Sequence, residues 1–308
     1  MFLKYKEFVM AGEEYKIGAA NTENIGNMLE ILKWKKSLPQ DINIECDVCP
    51  KTADGKKKAH GIDLFMTIKC PYNNHPRGIL IDGKRYAQQS LKNDTLGKWL
   101  RHLKSEVEHL DSSLPSLIDA YNLPDDIVID TGIIALHCHE NYIPDVIDKY
   151  IREVQFAGRS NKKMSFMVMS NKTLDKIATI SNLSSTFSLI EFAYYNDNSF
   201  LWNEAITPEL IMSTIIPFRY KPFMNGDNNH YKVGILFFDK TPANVKCLIP
   251  FFNYIQFLSH SQIDIYVYTA YSQIDKYNTL MESALNDFSL TMKVKFHQLL
   301  NVNYALSP

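Results

Sequence analysis

The chain has 308 residues, 45% hydrophobic and 22% charged, with a formal net charge of -1. That is the composition of an ordinary globular protein with enough apolar material for real cores, and its charge excludes a uniformly basic nucleic-acid-coating protein. No stretch approaches the roughly 20 uninterrupted apolar residues of a membrane helix, and length alone predicts about two domains.

Five cysteines (Cys46, Cys49, Cys70, Cys138 and Cys247) form an odd set in a chain far too long to be a small disulfide scaffold. A reducing cytoplasm is therefore the expected setting. The opening MFLKYKEFVMAGEEYK is broken by charge and lacks the apolar core of a signal peptide. The sequence carries no internal repeat and no low-complexity tract.

The first predicted helix starts at Asn21 or Thr22, either of which can cap it. Ile25, Met28, Leu29 and Leu32 give it one apolar stripe, and Pro39 ends it. Asp41 to Cys46 reads as a first strand. PKTADGKKKAH, residues 50 to 60, is a loop by its Pro, Gly and charge. A second strand follows from Ile62 to Ile68, then a turn at Pro71 to Pro76, then a third strand from Gly78 to Asp82 or slightly beyond. A second helix runs from Leu91 or Asp94 to Leu110, with Leu96, Trp99, Leu100, Leu103 and Val107 on its buried side. Residues 111 to 125 connect. Ile127 to Leu136 reads as a buried strand, Ile143 to Val154 as a helix, and Gly158 to Lys163 as a linker. Strands and helices then alternate to the end of the chain. Phe166–Met169, Ser188–Tyr194, Val233–Phe238, Ile263–Tyr268 and Met292–Phe296 read as strands. Leu174–Ile180, Glu209–Ile216, Val245–Leu258 and Ile274–Leu285 read as helices, and Pro217–Asn229 as loop. Such alternation predicts α/β layers. No Gly-rich phosphate loop stands at any strand–helix junction.

Chemistry concentrates in HGIDLFMTIKCPYNNHPRGILIDGKRY, residues 60 to 86. Alternate residues of a strand share a face, so Asp82 and Lys84 project side by side, and Asp63 can meet them from the neighbouring strand. Two carboxylates and an ammonium suit metal-assisted phosphodiester hydrolysis. The carboxylates hold Mg²⁺, with Mn²⁺ as a substitute; the metal activates water, and the lysine orients it or neutralises charge. Asp-Gly between apolar runs is also a hairpin signal, so Ile79 to Tyr86 has a second reading as a tight turn.

This first half resembles the PD-(D/E)xK nuclease superfamily. The aspartate of His60-Gly61-Ile62-Asp63 matches its second-strand acid, and Asp82-Gly83-Lys84 matches its third-strand motif. The same string looks like the nuclease subunit of certain two-gene bacterial anti-phage systems. The resemblance implies a restriction-endonuclease-like core (helix, three strands, helix, strand) in residues 1–158; the alternation of 159–308 reads as a second α/β domain of unknown role, with partner binding or oligomerisation as its options. The resemblance also implies an acid on the first helix, Glu23 or alternatively Glu30, and a controlling protein partner. Two departures stand out: Asp82 occupies a position more often Glu, and Gly83 one that is usually apolar.

Between Lys51 and Lys104 there are twelve Lys or Arg against four Asp. Lys56, Lys57 and Lys58 before Asp63, with Lys98 and Arg101 on the second helix, are the expected phosphate contacts, or else solvated surface. Gln88, Gln89 and Ser90 position water or phosphate, or cap the next helix. Cys46-Asp47-Val48-Cys49 is a lone CxxC that Cys70, His60 or His75 could complete as a zinc site, against a default of inert strand-edge thiols. His137 and His139 share a strand face without an assignable third ligand. Aromatics of the second half, such as Phe192, Phe237 and Tyr268, read as core. Trp202, Phe218, Tyr220 and Phe223 are candidates for a partner surface.

The expected protein is thus a Mg²⁺-dependent endonuclease acting on nucleic acid, DNA before RNA. Asp63 and Asp82 hold the metal, Glu23 assists and Lys84 acts on water. The alternative is a non-catalytic nucleic-acid- or partner-binding subunit that keeps the fold, with Gly83 a mark of decay.

Overall fold

A computed structural model describes residues 22–46, 49–51, 54–72, 74–140, 142–154, 163–185, 187–196, 199–222, 232–239, 241–258, 264–269, 273–288 and 293–298. These form two compact units, divided between Ala178 and Thr179.

In the first unit, helix α1 (residues 22–31) presents Ile25 and Leu29 to the core, and Leu32, just past its end, is buried with them. The helix gives way at Lys33, which takes a left-handed φ of 67°, well before Pro39. Strand β1 (Lys35–Lys36) follows. Next come β2 (Ile42–Glu45), β3 (Ala59–Ile62), β4 (Leu64–Lys69) and β5 (Pro76–Ala87). A turn of 3₁₀ helix, Gln88–Ser90, leads to α2 (Asn93–Ser112), α3 (Leu114–Tyr121), β6 (Val128–Glu140), α4 (Pro144–Glu153) and β7 (Ser165–Met169).

The main sheet has the order β1-β4-β5-β6-β7, while β2 and β3 form a separate two-stranded sheet. The expected first strand therefore lies outside the main sheet. β7 pairs parallel with β6, so this sheet extends past residue 158. Residues 155–162, which hold the expected boundary and most of the linker, lie outside the described residues.

The centre of the sheet explains the sequence pattern. β5 pairs antiparallel with β4 and parallel with β6. Flanked on both sides, its Ile79, Leu80 and Ile81 are all buried, which is why the run is continuous rather than alternating. Helix α2 covers β6. Its Leu96, Leu100, Leu103, Val107 and Leu110 are buried in the main core, each fully buried leucine contributing about 2 kcal/mol. The stretch expected as a plain connection holds α3, which closes on Asn122 in the left-handed region at φ 51°.

The expected strand from Ile62 to Ile68 is interrupted. β3 ends at Ile62 and β4 begins at Leu64, so Asp63 stands in a break between strands rather than inside one. The hairpin reading of Asp82-Gly83 is overturned. Both residues lie in β5, opposite Ile134 and Ala135 of β6.

In the second unit, α5 (Asn171–Ser185) enters from the first. There follow β8 (Phe187–Asn196), β9 (Ser199–Asn203), α6 (Pro208–Met212), β10 (Ile215–Pro222) and β11 (Lys232–Phe237). A 3₁₀ segment (Pro242–Leu248), α7 (Ile249–Leu258), β12 (Asp264–Thr269), α8 (Ile274–Asp287) and β13 (Lys293–Gln298) complete it. The sheet order is β13-β12-β11-β10-β8-β9. The core gathers Phe237, Val245, Leu248, Phe252, Val267, Tyr277 and Met281. β10 replaces the loop expected from Pro217 onward. Phe218 and Tyr220 are buried and so unavailable to a partner. Trp202 is half-buried under Arg219, 4.8 Å from its ring centre. Phe223 lies outside the described residues.

Candidate active site

β5 outruns its antiparallel partner. The β4 ladder stops at Leu64 opposite Ile81, while β5 continues to Ala87 along β6. One step beyond the last pair, Asp63 falls opposite Asp82. Chain pairing has ended there, and the next β5 donor is met by a side chain: the Gly83 N–H donates to Asp63 Oδ2 at 3.0 Å. The break at Asp63 thus exchanges a ladder bond for a carboxylate fixed against the strand.

Asp82 is buried, and Lys84, two residues on and on the same face, is half-buried. Lys84 Nζ donates to Asp82 Oδ1 at 2.5 Å. Burial pushes the Asp82 carboxyl up to about 7. The Lys84 ammonium pulls against that rise, and the charge of Asp63, close enough to share a proton, adds to it. Burial opposes the charge of Lys84, yet the Asp82 and Asp63 carboxylates prevail and hold it above the usual lysine range.

A third acid belongs to this group. Glu106, on α2, is only 6% exposed. Burial, then the charges of Asp82 and Asp63, push it up to about 7 against the pull of Lys84. His102, one turn earlier, places Nε2 at 3.1 Å from Glu106 Oε1. Burial and then the Lys84 charge hold that imidazole below its usual range. Glu106 left a signal in the sequence: it adjoins Val107 and follows Leu103 by three on the buried stripe of α2, where a lone acid is out of pattern.

Glu23 is exposed on the first turn of α1, and no contact among the described residues joins it to the aspartates. Its neighbour Thr22 is 1% exposed and lies against β5. A Cβ at position 83 would sit 2.1 Å from Thr22 Oγ1. Gly83 is therefore the residue that lets α1 approach the strand. Glu30, the alternative, pairs with Lys36 at 3.5 Å. Gly83→Ala is expected to cost about 1–3 kcal/mol in urea unfolding. Adding Thr22→Ala should recover part of it, giving a coupling of about 1 kcal/mol or more in a double-mutant cycle. A neutral Gly83→Ala variant would contradict the close approach.

Lys56, Lys57 and Lys58 are exposed in the loop before β3, and Lys56 contacts Asp54 at 3.3 Å. Lys98 and Arg101 are exposed on α2 and share Asp94, at 2.6 and 3.7 Å. Gln88 is turned away from any phosphate: its buried side chain accepts from the Ile143 backbone N–H and donates to the Ile143 carbonyl, tying β5 to the start of α4. Among the described residues His137 and His139 gain no third ligand.

Two carboxylates close enough to share a proton, with an ammonium on one of them, form an all-oxygen donor pair suited to a hard divalent cation. A family model described as "GAPS4 protein PD-(D/E)XK nuclease domain" matches residues 10–173, a span that takes in all of these side chains. No match is found among curated proteins.

Proposed function

The chain belongs to the GAPS4 PD-(D/E)XK nuclease domain family, and from that membership and the local geometry we propose that it hydrolyses phosphodiester bonds of nucleic acid, DNA before RNA, using Mg²⁺ or Mn²⁺ held by Asp63 and Asp82. The observation that carries the reading is the meeting of Asp63, Asp82 and Lys84 around the Gly83 amide. A cation bound there supplies Lewis acidity toward the phosphate and toward water. Lys84 holds an attacking water or neutralises charge on the phosphate. Glu106, poised near neutrality, takes up or returns a proton. Lys56, Lys57, Lys58, Lys98 and Arg101 track the phosphate backbone, so binding should weaken steeply with salt.

The rival reading, a binding subunit without catalysis, drew on Gly83 as a sign of decay. The contact with Thr22 gives that glycine a structural reason, which removes the argument. The defence family supports an antiviral role, with the second unit assigned to a partner protein or to self-association.

Calorimetric titration with Mn²⁺ or Mg²⁺ separates the two readings without needing the partner. Binding that is lost in Asp63→Asn and Asp82→Asn, together with cleavage abolished by chelation, is the expected result. Intact nucleic-acid binding with no cation uptake would favour the non-catalytic subunit.

A further inference from the structure

A second cluster of metal-ligating side chains lies apart from the carboxylates and in a different chemical class. Cys46, Cys49, His60 and His109 each bring one ligand atom to a common point, all within 4.8 Å of one another. Cys49 Sγ lies 3.2 Å from His60 Nε2 and 3.4 Å from His109 Nδ1. The two imidazole nitrogens are 2.9 Å apart, and the rings tilt past each other at 52°. Ligand atoms on a tetrahedral zinc shell stand about 3.3–3.8 Å apart, given bonds of about 2.0–2.3 Å. The cluster's spacings bracket that range, so the close His60–His109 pair must open and the widest pair must close slightly to accept the ion.

We propose that these four residues form a structural Cys₂His₂ zinc site that fastens the β2–β3 sheet to helix α2. Two sulfurs and two imidazoles form a borderline-soft set that favours zinc and gives Mg²⁺ no oxygen ligands. All four positions are filled by protein, the mark of a structural rather than a catalytic zinc. Cys46 and His60 are 2% and 6% exposed, and the cysteines are free thiols. The Cys49 N–H donates to Cys46 Sγ at 3.2 Å, an amide-to-sulfur bond that orients the ligand sulfur. Zinc binding converts both thiols to thiolates and releases two protons, with no other reactant.

The fold gives the site a purpose. A two-stranded sheet has marginal stability alone, and among the described residues β2–β3 pairs with no third strand. Its β3 leads directly into Asp63, and the loop that carries Lys56, Lys57 and Lys58 runs between Cys49 and His60. His109 lies one turn after Glu106 on α2. A zinc ion thus closes the basic loop at its base and holds β3 to the helix that bears Glu106. The inference rests on the cluster itself and stands apart from the nuclease reading.

The full chain, purified with thiols reduced, should carry one zinc by elemental mass spectrometry. Exchange to Co²⁺ should give the intense visible bands of a tetrahedral thiolate site, unaffected by excess Mg²⁺. Cys49→Ser and His109→Asn should lose both signals, while Asp82→Asn keeps them. Should the variants fail to fold, the wild type alone decides: strong chelation must release the zinc, make Cys46 and Cys49 several-fold more reactive toward alkylation, and lower the melting temperature. Wild-type protein with reduced thiols that holds neither zinc nor Co²⁺ overturns the proposal, as does a Cys46–Cys49 disulfide in protein purified without oxidant.

Discussion

Asp82→Asn is expected to lower phosphodiester cleavage by about 10³-fold or more, the scale set by removing charge aimed at the reacting centre. The same change should leave the metal-free fold at least as stable as wild type. Asn keeps the shape and an oxygen to accept from Lys84, while it removes a carboxylate whose burial pushes its ionisation up to about 7. Below about pH 4 the wild-type group is protonated in both the folded and the unfolded chain, so the variant should match it; from about 4 to about 7 only the folded wild type keeps the proton, so the variant should become progressively the more stable, by a constant margin above. Lys84→Ala should cost activity on a similar scale by another route. It removes the ammonium 2.5 Å from Asp82 Oδ1, and with it the influence that holds the Asp82 carboxyl down. Glu106→Gln should reduce cleavage less, and chiefly at alkaline pH, where the wild-type acid is ionised. A Lys84→Ala enzyme that cuts at the wild-type rate would falsify the assignment.

Period-two reasoning found Asp82 and Lys84 because a strand settles which residues share a face, whatever lies around it. It could not settle whether the strand existed. Asp-Gly is a turn signal in local terms, and the deciding contact is Thr22, some sixty residues away in sequence. Asp63 was found for its residue type and misplaced in its setting. An apolar run from Ile62 to Ile68 gives no sign that the chain breaks after Ile62, since the break follows from the length difference between β4 and β5.

His109 shows the same limit in the thiol–imidazole cluster. The CxxC and His60 could be read from spacing, but the fourth ligand comes from a helix 49 residues beyond His60. In the second unit, Pro217 and Pro222 argued for loop, yet β10 accommodates both. Pro217 pairs with β11 beyond the end of the β8 ladder, and Pro222 stands at a register shift. Each sits where a missing N–H costs no interior hydrogen bond.

The second large effect is on pH. In the metal-free protein, burial pushes both Asp82 and Glu106 up to about 7. Their unfolded-state values lie in the ordinary carboxylate range, near 4. The folded protein therefore holds more protons than the unfolded chain between these limits, and stability should fall as pH rises from about 4 to about 7. A divalent cation reverses the slope: it must displace the Asp82 proton to bind, so its apparent affinity should strengthen about tenfold per pH unit up to 7 and level off above. The rise in melting temperature on adding Mn²⁺ should accordingly be small at pH 5.5 and large at pH 8. Asp82→Asn removes both the binding and the slope. Glu106→Gln keeps the cation slope, because Glu106 is not one of the two ligands, but deletes one ionisation from the pH–rate profile. Mn²⁺ affinity that stays constant from pH 5.5 to 8 would mean either that Asp82 is already ionised in the folded protein or that the cation is held by another set of side chains.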